Sequence, residues 1–277
     1  TRSRDPTTTP RSGAHADDSS WSDAADSGYV ISAEKRGTKV YTPTGNRTCM
    51  RVSSGVPGFD ELVQGGLLKN RLYVVSGPPG SGKTTFSSQF ITQGAKEGEN
   101  CLYVTMHETK EELMQDMSGY EFGFEQVMAS GKVQFLNLMT DSGKRTITQF
   151  GSEGGLTNRI TAFLEQQDID RAVIDSTMLL QHFFENMSDE ITGFLSALKQ
   201  TDTTTVLISE MTDPSSYADE HYLAHGVIFF HNYLESGGMT RGVQVIKMRG
   251  TAIDCDIRAI DFSDRGLRVD PGQKVEG

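Results

Sequence analysis

At 277 residues the chain is long enough for one large domain plus a tail, or at most two small domains. Its 37 acidic against 26 basic side chains leave a formal charge of −11, with no Lys- or Arg-rich block, which disfavours non-specific binding to DNA, RNA or anionic membrane. Cys49, Cys101 and Cys255 lack metal-ligand spacing and point to a reducing compartment, and no signal-like stretch or apolar run of about 18 residues appears, so a cytoplasmic protein is expected.

Residues 1–45 are rich in Thr, Ser, Asp, Ala, Gly and Arg. Such a segment cannot bury enough apolar surface to offset its ordering entropy, so a largely disordered N-terminal tail is expected, with Trp21 and Tyr29-Val30-Ile31 as incidental residues of a solvated tail or, less favoured, a docking segment for a partner. Residues 46–272 are expected to form the domain and 273–277 a short C-terminal tail. Residues 52–68 read as a turn, a short helix with Phe59, Leu62 and Val63 on one face, and a Gly65-Gly66 turn.

Arg71 to Ser76 is an apolar strand. Gly77-Pro78-Pro79-Gly80-Ser81-Gly82-Lys83-Thr84-Thr85 follows, and a helix is expected from Thr84 to about Gln93. This is G-x-x-x-x-G-K-[ST] in the order strand, loop, helix. The glycines let backbone N–H groups at Gly80, Ser81 and Gly82 close on phosphate, and the helix N-terminus adds its dipole. Lys83 supplies charge near the β and γ phosphates, and the Thr84 hydroxyl, beside Thr85, is a magnesium ligand.

Further strands are expected at 101–105, 133–136, 172–175 and 204–209. Helices are expected from Lys110 to Met117, from Leu156 to Gln167 and over about 188–200. The Gly-, Ser- and Thr-rich stretch 141–156 reads as a mobile loop. Alternating strands and helices imply an α/β fold with a mostly parallel sheet and helices on both faces. Short strands at 226–231, 242–247, 258–262 and 266–269 would continue it with antiparallel members.

In such a sheet ligands sit beyond the carboxyl ends of the strands. Asp175 ends an apolar strand as a magnesium-shell carboxylate does, and Glu108, one strand over, is placed to orient or deprotonate the water that attacks a γ phosphate. His107 reads as a satisfied strand-end histidine. Ser209 and Glu210 end another strand, where a polar side chain could sense the γ phosphate. Lys247 and Arg249 read as a phosphate clamp supplied to a neighbouring copy.

As a set, Ser54-Gly55-Val56-Pro57-Gly58-Phe59-Asp60, the 77–85 loop, His107-Glu108, Val173-Ile174-Asp175-Ser176 and Lys247-Met248-Arg249-Gly250-Thr251 resemble the KaiC domain family of RecA-like ATPases and its single-domain archaeal relatives. The resemblance covers about residues 50–270. It implies a RecA-like P-loop core, ATP and magnesium as ligands, and a hexameric ring with nucleotide at subunit interfaces. It further implies slow ATP hydrolysis and a protein signalling partner. It assigns Lys83, Thr84 and Thr85 to phosphate and magnesium, Asp175 to the Walker B acid, Glu108 to water activation, and Lys247 and Arg249 to the neighbour's γ phosphate. Where the family has two adjacent glutamates this chain reads His107-Glu108, and where the clock protein carries its phosphorylated Ser-Thr pair it reads Tyr222-Leu223-Ala224-His225, which argues against clock-type autophosphorylation. Two alternatives stay open: a recombinase-like DNA-dependent ATPase, disfavoured by the acidity, and a non-hydrolysing nucleotide-gated scaffold.

Overall fold

The computed structural model describes residues 29–32, 40–43, 50–150, 155–184, 187–211, 213–235 and 238–275. Within the expected N-terminal tail, β1 (Tyr29–Ser32) and β2 (Val40–Pro43) pair antiparallel with Ile31 opposite Tyr41; the rest of that segment, Trp21 included, lies outside the described residues. This hairpin belongs to a unit separate from the body that begins at residue 49.

The body runs β3 (Arg51–Val52), α1 (Phe59–Leu62), β4 (Leu67–Leu68), β5 (Leu72–Ser76), α2 (Lys83–Lys96), β6 (Cys101–Thr105), α3 (Lys110–Met117), α4 (Phe124–Ala129) and β7 (Val133–Asn137). It continues with α5 (Asp141–Thr148), α6 (Leu156–Gln166), β8 (Arg171–Asp175), a 3-10 turn (Thr177–His182), α7 (Met187–Leu198) and β9 (Thr204–Ser209). The last elements are α8 (Asp219–Leu223), β10 (Gly226–Glu235), β11 (Gly238–Met248), β12 (Arg258–Ser263) and β13 (Gly266–Lys274). β13 thus carries the sheet to Lys274, past the point where a tail was expected.

Nine strands form one sheet in the order β13-β12-β11-β10-β5-β9-β8-β6-β7. From β10 to β7 every neighbouring pair is parallel, and β11, β12 and β13 are added antiparallel. The parallel strands are continuous apolar runs because both faces are covered. Tyr73 and Val75 point into a core built with Phe86, Phe90 and Ile91 of α2, Leu113 of α3 and Phe124 of α4. Leu72 and Val74 point the other way, into a core with Ile160 and Phe163 of α6 and Phe194 and Leu195 of α7. This period-two alternation makes three layers from one central sheet.

α2 is buried on most of its circumference. Gln89 fixes it to the far edge of the sheet: its amide donates to the carbonyls of Gly55 (3.2 Å) and Leu267 (3.1 Å), and its oxygen accepts from Leu267 N–H at 2.8 Å.

The expected loop at 141–156 is a helix over its first half. Thr140 caps α5 by accepting from Gly143 N–H at 3.1 Å, and Ile147 anchors it in the core. Gly143, which read as a loop residue, is required by space: a Cβ there would lie 1.8 Å from the Asn137 carbonyl oxygen. α3 begins with a reciprocal capping box between Thr109 and Glu112. Among the described residues no helix is long and apolar enough to cross a membrane.

Candidate functional site

The carboxyl ends of β5, β9, β8 and β6 are neighbours, and each delivers a polar residue to the same end of the sheet. Ser76 and Ser209 pair across β5 and β9, and Thr105 pairs with Asp175 across β6 and β8. The 77–82 loop leaves β5, Glu210 follows β9, Asp175 ends β8, and Glu108 lies just beyond β6. The expected grouping of Lys83, Asp175 and Glu108 at one end of the sheet is what the topology produces.

Lys83 opens α2 and is 9% exposed. Its Nζ donates to the carbonyls of Gly77 (2.8 Å) and Pro78 (3.0 Å), so the ammonium is folded back onto its own loop. Burial pushes its pKa down, against the opposing pull of Glu210 and Asp175. Asp175 accepts from Tyr103 O–H at 3.2 Å. Burial raises its pKa, while the Tyr103 hydrogen bond, His107 and Lys83 pull it down. The Glu108 carboxyl is raised too, first by burial and then by the charges of Asp175 and Asp116. His107 lies 3.5 Å from Ser176 Oγ through Nε2. Ser209 Oγ donates to Glu220 Oε1 at 2.8 Å, so its hydroxyl is engaged within the chain.

The loop is shaped for an anion. Gly80 has φ +73°, and a Cβ there would meet nothing within 4 Å, so the backbone faces open space. Ser81 Oγ is buried with no hydrogen-bond partner among the described residues. A buried hydroxyl left unpaired is costly, and one at a helix N-terminus fits an oxygen-rich ligand. Thr84 and Asp175 together offer a hydroxyl and a carboxylate, the oxygen donors that suit magnesium.

Above the loop a cleft of about 440 Å³ is lined by Gly80, Gly82, Lys83, Thr84 and Thr85 together with Tyr120, Arg241 and Phe262. The last three carried no sequence signal. The Arg241 guanidinium lies 5.3 Å from the Phe262 ring centroid, and its Nε is buried without a partner among the described residues. Phe262 closes on the loop so tightly that a Cβ on Gly82 would come within 2.7 Å of its Cζ and 2.9 Å of Leu267 Cδ1. Tyr120 sits between α3 and α4, Arg241 on β11 and Phe262 on β12; only the folded topology makes them neighbours.

Lys247 and Arg249 are not brought to this cleft within one chain. Lys247 pairs with Val227, itself opposite Val74 in the middle of β5, and Arg249 lies beyond the start of β10. Lys247 Nζ donates to the carbonyls of His221 and Tyr222, both at 2.9 Å, and Arg249 Nη2 donates to Tyr222 at 3.2 Å.

A family model described as "ATPase: KaiC" matches residues 52–274. The circadian clock protein KaiC3 of Synechocystis sp. is 30% identical over 212 residues, 73% of this chain and 41% of that protein. The circadian clock oscillator protein KaiC of Parasynechococcus marenigrum is 27% identical over 222 residues, 76% of this chain and 43% of that one. The chain thus spans about two fifths of the length of these relatives. The crystal structure of a KaiC-like protein from the hyperthermophilic archaeon Pyrococcus horikoshii OT3 superposes with a TM-score of 0.69 at 28% identity, covering 80% of this chain and all of that one.

Proposed function

The chain belongs to the KaiC family of ATPases, with the RecA-like P-loop fold, and we propose that it binds and hydrolyses magnesium-ATP as a ring-forming regulatory protein. The observation that carries this reading is the state of Lys83: among the described residues this buried cation is held only by the Gly77 and Pro78 carbonyls, beside a Ser81 hydroxyl without a partner there and a backbone open at Gly80. Phosphate oxygens would replace those carbonyls as acceptors and pair Ser81 at the same time.

In this reading the N–H groups of Gly80, Ser81 and Gly82 and the start of α2 hold the phosphates, with Lys83 and Thr85 beside them. Tyr120, Arg241 and Phe262 offer aromatic and guanidinium faces for the base. Magnesium, held by Thr84 and Asp175, would neutralise charge on the phosphates. Glu108 takes a proton from water as the water oxygen bonds to the γ phosphorus and the bond to the ADP oxygen breaks. A carboxyl raised by burial is a better match to that task near neutral pH. Lys247 and Arg249 would serve the cleft of a neighbouring copy, in keeping with their distance from their own. This reading favours a ring, taken here as hexameric, whose nucleotide state is presented to a protein partner.

The test is Glu108→Gln. It should keep ATP binding and slow phosphate release by about 10²- to 10⁴-fold, the usual contribution of a general base. Unchanged turnover would remove Glu108 from the mechanism.

A further inference from the structure

α8 has only five residues, too short to hold its place by its own hydrogen bonds, and it is pinned from both sides. His221 Nδ1 accepts the Ala218 N–H at 3.0 Å, so Nε2 carries the ring proton and donates it to Ser76 Oγ at 2.8 Å. Both groups are out of water, His221 at 2% and Ser76 at 0% exposure, so this bond is not in competition with solvent. The preceding residue, Glu220, takes the Ser209 hydroxyl. Ser76 and Ser209 face each other as the last residues of β5 and β9, directly before Gly77 and Glu210. On its other side α8 presents the carbonyls of His221 and Tyr222 to Lys247 and Arg249. His221 therefore touches both systems: its ring holds the strand end that feeds the phosphate loop, and its carbonyl holds Lys247.

We propose that His221 is a positioning residue that couples the occupancy of a chain's own phosphate loop to the placement of the Lys247–Arg249 pair it offers to its neighbour. The inference rests on the clamp reading above and adds to it the route by which one cleft reports to the next. When the Gly77 and Pro78 carbonyls release Lys83, Ser76 is the adjacent residue on the strand. The imidazole, bonded at both nitrogens, is a stiff link from it to α8. The cations follow α8 because its terminal carbonyls are their acceptors.

The test uses the full chain and compares steady-state ATP turnover in three variants, with circular dichroism as the check on folding. His221→Ala should lower kcat about tenfold and leave KM for ATP within about twofold, since the phosphate loop itself is intact. His221→Gln, whose amide can still donate to Ser76, should recover most of that loss. In a Lys247→Ala/Arg249→Ala background, His221→Ala should lower kcat no further, because residues acting as a unit are non-additive. Wild-type kcat in His221→Ala, or an equal further loss in the clampless background, overturns the coupling while leaving the clamp standing. Wild-type kcat in Lys247→Ala/Arg249→Ala overturns the clamp and the coupling with it. If the alanine variant does not fold, His221→Asn, too short to reach Ser76, takes its place with the same expected loss, and wild-type kcat there overturns the proposal.

Discussion

Among the described residues of the body two cations are withdrawn from water, Lys83 at the carboxyl end of the sheet and Arg171 at its amino end, with 9% and 0% of their surface exposed. Arg171 is saturated. Its guanidinium pairs with Glu99, with Glu97 at 2.6 Å, and with the carbonyls of Ser53 (2.7 Å) and Phe90 (3.2 Å), and it lies 4.9 Å from the Phe90 ring centroid. These partners tie β8 to the end of α2 and to the turn before α1. Lys83 has two neutral carbonyls and no carboxylate within salt-bridge distance among the described residues. On the proposed reading, this difference is what separates a structural buried charge from a functional one. Fixed anionic partners use up its field, whereas weak neutral ones leave it available to an incoming anion.

That contrast can be broken most directly by removing each cation. Lys83→Ala should reduce ATP turnover by about 10³-fold or more, as loss of a main electrostatic contact to the transferred phosphoryl group does. Its melting temperature without nucleotide should be unchanged or higher, because a poorly paired buried charge has gone. A fall in stability comparable to that of the arginine variant would erase the distinction. Arg171→Met should do the reverse, costing about 3–5 kcal/mol in urea unfolding because Glu97 loses its cation and Glu99 is left with Lys69 at 4.0 Å. Turnover by the protein that remains folded should stay near wild type.

A smaller effect sharpens the comparison through pH. His225, at the amino end, accepts the Leu72 N–H through Nδ1 at 3.1 Å. Burial first, then the charges of Arg71, Lys199, Arg249 and Lys247, push its pKa from 6.5 down to about 4. The unfolded chain therefore takes up that proton first as pH falls. The stability His225 contributes is complete above pH 6.5 and is lost on acidification towards pH 4. Asp175 and Glu108 at the opposite end are shifted upward, so their contribution has the other sign and is lost as pH rises through their folded values. His225→Gln should flatten the decline in melting temperature between pH 6.5 and 4, as read by calorimetry, and an unaltered slope would remove His225 as its source.

What the sequence made readable was local. The 77–85 loop, the apolar strand before it and the Asp closing Val173-Ile174 are each contiguous, and parallel strands buried on both faces announce themselves as unbroken apolar runs. α5 stayed hidden because its signals conflict: Gly143 lowers helix propensity, yet the Asn137 carbonyl leaves no room for any other residue. α8 is too short for a period to appear, and its anchors, Ser76 and Lys247, lie far from it in sequence. Tyr120, Arg241 and Phe262 share a cleft without sharing a pattern, since they come from the α3–α4 connection, β11 and β12, which meet only after the sheet is complete.

The packing of Phe262 and Leu267 on Gly82 has a consequence for how the protein is made. During synthesis the 77–82 loop leaves the ribosome well before the hairpin of β12 and β13 that roofs it. Phe262 and Leu267 can therefore close over Gly82 only after the whole intervening chain, β9 and β10 included, has been made. The roof is thus a late addition to a loop encoded about 180 residues before it.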